Sequence, residues 1–241
     1  MHESPVKREE YSKISTAQVK PDRRIGLTLL SVYFENSGYD SKRCFMRLIV
    51  FVFSIALSIR ASGQDKTLPY YKIPDAPESF SAGTVAARMI DGLGFRYYWA
   101  TEGLREQDLA FKPGADARTT EETLRHIHAL TSIIMHASTS MVYAVQPNPP
   151  KVDFATLRKE TLENLKAASD RLRALDDKQM NALKIIFKRE TGTNELPFWN
   201  LINGPIADAL WHVGQVVSFR RSSGNPFPDK ANLFTGSVRA D

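Results

Sequence analysis

Residues 205–221 read PIADALWHVGQVVSFRR. Ile206, Leu210, Val213 and Val217 recur at helical spacing and make an apolar stripe, so the stretch reads as a helix opened by Pro205 after Gly204. Asp208 and His212 stand one turn apart on the opposite side, and Gln215 and Phe219 extend their line. Two readings compete for this pair. In one it belongs to a solvated helix face, where an i,i+4 pair stabilises by roughly a few tenths of a kcal/mol. In the other it supplies two arms of a metal site whose third ligand comes from elsewhere.

The helical signal recurs three times upstream. Ser79 or Ser81 can cap a first helix running to about Glu102, with Val85, Met89, Leu93 and Trp99 inward. Thr119 or Thr120 opens a second, and Glu122 three residues after Thr119 completes a capping-box pattern. This helix is expected to reach about Tyr143, ahead of Pro147, Pro149 and Pro150. A third runs from about Asp153 to Leu175 on the seam Leu157, Thr161, Leu165, Ala168, Leu172 and Leu175. Between residues 181 and 200, LKIIFKRE and ELPFW flank TGTN, the pattern of a short hairpin. The last helix covers roughly 205–222 and stops at Gly224. Four amphipathic helices with little strand signal predict an all-α protein, a four-helix bundle over residues 81–224. An extended lead-in with Pro69, Pro74 and Pro77 precedes it over residues 64–80, and a polar tail follows over 225–241.

Helical geometry also ranks the candidates for a third ligand. His126, His128 and His136 all lie on the second helix, whose buried face is set by Leu124, Ile127, Leu130 and Ile134. His126 falls at the edge of that face, beside Leu130, Ile133 and Ala137. His128 falls beside Glu121 and Met135 on the polar side, and His136 near Arg125 and Ser132. A buried histidine is most often hydrogen-bonded to a backbone carbonyl. Taken with Asp208 and His212, an inward His126 gives the layout of a metal site in a helical bundle: a ligand pair on one helix and a single ligand on another. Two imidazoles and a carboxylate suit Zn, Ni, Fe or Mn and leave coordination positions open. Trp211 would flank the site, and Gln215 could hydrogen-bond a water on the ion. Arg220 and Arg221, in the last turn, read as complements to the helix dipole, with an anionic substrate as the other reading.

The net charge of +5 is unevenly spread. Residues 1–63 hold ten Lys/Arg and six Asp/Glu, and residues 64–241 hold 22 and 21. The near balance of the second part gives no indication of a nucleic-acid partner. The basic front end surrounds residues 48–59, LIVFVFSIALSI, twelve residues without a charge. A spanning helix needs about 20 such residues, so this run has the length of a signal-peptide core. Lys42, Arg43 and Arg47 precede it, and Ala61-Ser62-Gly63 supply small residues for a cut before Gln64. Met46 opens a signal peptide of ordinary shape over residues 46–63, which makes residues 1–45 a leader upstream of the true start. The mature chain is then expected outside the cytoplasm, periplasmic or secreted, with no stable membrane anchor. Cys44 is the sole cysteine and lies in that leader, which removes disulfides, a thiol nucleophile and thiolate ligands from the mature chain.

HIHAL in the second helix and DALWHVGQ in the fourth resemble the paired motifs of the DinB-like metal-binding four-helix bundles, a superfamily that includes the bacillithiol- and mycothiol-dependent transferases. The resemblance spans about residues 81–224. It implies an up-down-down-up bundle, often dimeric, with QPNPP (146–150) in a long crossover between the second and third helices. It implies His126 and His212 as ligands and matches Gly214-Gln215 to a trailing pair. Asp208 departs from it, standing where the first histidine of a His-x-x-x-His pair usually stands. Together with the export read from residues 46–63, it implies an exported protein holding one divalent metal, as a transferase or hydrolase on a small substrate. The alternative is a non-catalytic metal- or ligand-binding bundle with a degenerate site. No Ser-His-Asp or HExxH motif offers another route to hydrolysis.

Overall fold

A computed structural model describes residues 68–239. The proposed leader and signal peptide, and the start of the lead-in, lie outside the described residues. The protein is mostly helical. Its long helices are α1 (Ala82–Thr101), α3 (Thr120–Ala137), α4 (Phe154–Arg173) and α7 (Ala207–Ser222). Short helices α2 (Glu106–Leu109), α5 (Asp177–Ala182) and α6 (Trp199–Leu201) lie between them. Around the core α1 packs on α4, α4 on α3, α3 on α7 and α7 on α1.

Local chemistry sets the helix starts. Ser81 accepts the Thr84 amide, Thr119 accepts the Glu122 amide while Glu122 reaches back to the Thr119 amide, and Asp153 accepts the Thr156 amide. Each cap satisfies donors that the first helical turn leaves free. Thr119 and Glu122 thus form the capping box their spacing predicts.

An all-α protein is too strict a description. Strands β1 (Val142–Ala144), β2 (Lys184–Arg189) and β3 (Gly192–Pro197) form one sheet in the order β1-β2-β3. The expected hairpin forms as β2–β3, but its turn is Glu190-Thr191, with Gly192, Thr193 and Asn194 of TGTN paired within β3, and β1 joins β2 in parallel. Two short strands, β4 (Ala231–Asn232) and β5 (Ser237–Val238), pair in the tail.

Two helix boundaries differ from expectation. The second helix ends at Ala137 rather than near Tyr143. Ser140 turns into the left-handed region at φ 52°, and the β-branched and aromatic pair Val142-Tyr143 joins the sheet instead of prolonging the helix. The fourth helix does not begin at Pro205. Pro205 sits inside a π turn, Ile202–Ile206, that joins α6 to α7. Proline lacks an N–H and its ring crowds the carbonyl four residues back, so here the helical ladder widens for a turn without ending.

The inward faces shift accordingly. On α7 the buried line is Ile206, Ala209, Val213, Val216 and Arg220, while Leu210 and Val217 are half-buried. On α1, Val85 is exposed and Met89 half-buried, yet Ile90, Leu93, Phe95, Tyr97, Tyr98 and Trp99 are all buried. An apolar set that encircles a helix requires cover on its outer side. The lead-in and the tail provide it. Trp99 donates its indole N–H to the Tyr71 carbonyl at 3.1 Å, Arg88 reaches the Pro74 carbonyl at 2.6 Å, and Lys230 lies over the Trp99 ring. The tail is therefore docked structure: Ile73 donates its amide to the Gly236 carbonyl at 2.8 Å, and a Cβ on Gly236 would collide with Ile73.

Buried charges tie the helices to one another. Asp91 of α1 is fully buried and accepts from Tyr70 at 3.2 Å, Ser169 at 2.5 Å and Arg173 at 2.8 Å. Burial, reinforced by the Asp91 charge, pushes the Tyr70 hydroxyl pKa upward. Arg158 of α4 bonds Thr101 at 2.9 Å and Glu102 at 2.6 Å and lies over the Tyr98 ring. These pairings satisfy charges that would be costly if buried alone.

Arg220 has a role that its place in the last helical turn did not suggest. It is 2% exposed and donates to the carbonyls of Trp99 and Ala100 at 3.0 Å each, and to Asn225. It closes the C-terminal end of α1, leaving none of its charge for a solvated dipole or for a substrate.

Candidate metal centre

His126 projects from α3, and Asp208 and His212 project from the first turns of α7. One ligand atom from each lies within 4.8 Å of the others. His126 Nε2 is 3.2 Å from Asp208 Oδ2, and His212 Nε2 is 3.3 Å from Asp208 Oδ1. The two imidazoles meet edge to face, with ring centres 4.6 Å apart. The three side chains could hold a metal ion. The spacing along α7 aligns Asp208 with His212, and the packing of α3 on α7 brings in His126.

The side chains are only half-buried: His126 is 32% exposed, Asp208 38% and His212 15%. The group is thus partly open to solvent. Burial lowers the His126 pKa, and the charges of His212 and Arg118 act in the same direction. The hydrogen bond to Asp208 opposes them. A lowered pKa keeps the ring neutral, the form that coordinates metals.

The donor chemistry fits a cation. Gln215 Oε1 lies 2.7 Å from His212 Nδ1. With that amide oxygen accepting, Nδ1 would carry the proton, and a neutral ring would then point its Nε2 lone pair at Asp208 Oδ1. Two acceptors face one another at 3.3 Å. A positive centre between them, either a second ring proton or a metal ion, makes the contact favourable. Gln215 therefore supports the His212 ring itself. Trp211, expected to flank the site, is 72% exposed.

The other histidines on α3 have separate partners. His128 faces α4 and pairs with Glu160 at 3.2 Å. His136 lies 2.7 Å from the Ser132 carbonyl and stacks edge-on against Tyr143. Sequence reasoning did not anticipate the Glu160 partner, because nothing local to either helix links residues 128 and 160. A cavity of about 420 Å³ lined by Val85, Met89, Met180, Phe198, Trp199 and Ile202 contains none of the three candidate ligands.

No protein-family model, curated protein or solved structure matches this chain. Among the described residues, no helix is long and apolar enough to cross a membrane.

Proposed function

We propose that this chain is an exported DinB-like four-helix bundle, up-down-down-up in topology, whose His126, Asp208 and His212 bind one divalent metal ion and act on a small-molecule substrate. The observation that carries the reading is the convergence of the three ligand atoms within 4.8 Å. The mutual packing of α1, α3, α4 and α7 supports the bundle reading. Two imidazoles and one carboxylate favour Zn, Ni, Fe or Mn and leave positions open to solvent. An ion held there would supply Lewis acidity and lower the pKa of a coordinated substrate group or water toward neutrality, the chemistry of a transferase or hydrolase. His126 and His212 contribute neutral nitrogen donors, and Asp208 contributes the negative charge that balances the cation. The balanced charge of residues 64–241 favours a small molecule over a nucleic acid as partner. The resemblance to the DinB-like bundles also favours a homodimer.

A non-catalytic role is the second reading, and one observation favours it. Among the described residues, the hydrogen bonds and ion pairs of the three side chains run to one another and to Gln215, an amide that transfers no proton. Elemental analysis of untagged protein tests both readings against a purely structural site. Close to one equivalent of a transition metal is expected in the wild type and none in His212→Ala. Loss of a measured activity on chelation then separates enzyme from binding module. N-terminal sequencing of the exported protein is expected to begin near Gln64.

A further inference from the structure

The two imidazoles of the candidate centre are held differently. His212 has a polar neighbour at each nitrogen, held by Gln215 Oε1 at 2.7 Å from Nδ1 and facing Asp208 Oδ1 at 3.3 Å from Nε2. His126 meets Asp208 through Nε2 at 3.2 Å, and no partner is found for its Nδ1 among the described residues. We infer that Gln215 is a positioning residue that locks His212 into the Nδ1–H tautomer and so presents Nε2 as a lone-pair donor before any metal arrives.

The argument rests on direction and rigidity. Gln215 follows His212 by three residues on the same helix, so the two side chains are neighbours on one face. With its amide oxygen turned to the ring, at the shorter of the two contacts, Gln215 accepts and draws the proton to Nδ1. Which ring nitrogen is free to bind a metal is set by the hydrogen bond that the other one makes. His126 has no such restraint. It is free to carry its proton on Nε2 and donate it to Asp208; in the metal-free protein the carboxylate then accepts from His126, while its contact with the lone pair of His212 is the one a cation would make favourable. One nitrogen is prepared in advance, and the other gives up its proton on binding.

The purpose assigned to Gln215 rests on the metal reading above, but the tautomer is a property of the metal-free protein and is measured independently. Long-range ¹⁵N–¹H spectra of the histidine rings, recorded on the metal-free chain at a pH where the rings are neutral, should show His212 as the Nδ1–H form. Gln215→Leu should move it to Nε2–H, the form then able to donate to Asp208. Gln215→Glu, which still offers an acceptor oxygen, should restore Nδ1–H. Zinc titrated against a competing chelator should bind Gln215→Leu about 10–100-fold more weakly than wild type, with Gln215→Glu close to wild type. A wild-type His212 in the Nε2–H form overturns the inference, as does a tautomer indifferent to Gln215→Leu. If the spectra behave as expected and wild-type protein takes up no zinc, the tautomer lock stands and the metal reading fails.

Discussion

The imidazoles of His126 and His212 lie edge to face at an interplanar angle of 87°, their centres 4.6 Å apart, with the Asp208 carboxylate within 3.3 Å of a nitrogen on each. Apolar helix packing alone gives no reason for two nitrogen rings and a carboxylate to share one point. A shared cation would provide one.

His126, Asp208 and His212 are expected to act as a set. Alanine at any of the three should remove stoichiometric metal, whereas His128→Ala should leave it unchanged, because His128 is committed to Glu160 on the far side of α3. Metal should also raise the unfolding midpoint of the wild type, through a stabilisation of about 2.7 kcal/mol at a hundredfold excess over Kd. It should leave that of His212→Ala where it was. Retention of metal by His126→Ala together with its loss in His128→Ala would sink the assignment.

Metal binding should weaken as pH falls, since protons compete for the ring nitrogens. Burial holds the His126 pKa below its ordinary 6.5, so that ring remains neutral somewhat further into the acid range than a free histidine. Competition titrations across pH 5–8 should show affinity declining toward the acid end. A flat profile would mean that histidines are not ligands.

A separate acid sensitivity is expected at Asp108. Its carboxyl pKa is held well below the ordinary range, first by the hydrogen bond from Arg105 and also by Ser223 and Asn225. A depressed folded-state pKa contributes stability that is present above the unfolded-state value and lost as pH falls through the folded one. Denaturation midpoints should therefore drop below about pH 4, and Asp108→Asn should flatten that part of the curve. Equal slopes in both proteins would contradict the role.

Arg220→Met should destabilise the fold strongly. It leaves the carbonyls of Trp99 and Ala100 buried without their donor, at about 1–3 kcal/mol for each acceptor left unpaired. Arg221→Met, exposed one residue later, should change little. Urea titration distinguishes them, and a shift of under about 0.5 kcal/mol for Arg220→Met, the scale of an ordinary surface substitution, would refute the closing role.

Thr119→Ala should cost about 1 kcal/mol, because it frees the Glu122 amide at the start of the helix that carries His126. Thermal denaturation measures it, and a neutral result would show that the capping box is dispensable.

Much of this protein is written in local chemistry. The caps Ser81, Thr119 and Asp153, the buried seam from Leu157 to Leu172, the inward set Leu124, Ile127, Leu130 and Ile134, and the hairpin around TGTN follow from spacing and from side chains acting on neighbouring backbone. The one-turn spacing of Asp208 and His212, and the place of His126 at the rim of its helix, are equally local. Their helical phase could be read from the sequence for that reason.

Tertiary structure decided the rest, because the deciding partners are distant in sequence. Tyr143 leaves its helix because Phe187 and its strand offer a sheet edge. Pro205 is carried through a π turn because the segments on both sides are held by packing. Arg220 is buried because the carbonyl end of α1 needs a donor, and the polar tail docks against the lead-in and over Trp99 of α1. Sequence periodicity fixes which way a residue points from its own helix. Only the packing of α3 on α7 brings His126 to Asp208 and His212, whereas Gln215 meets the His212 ring within its own helix.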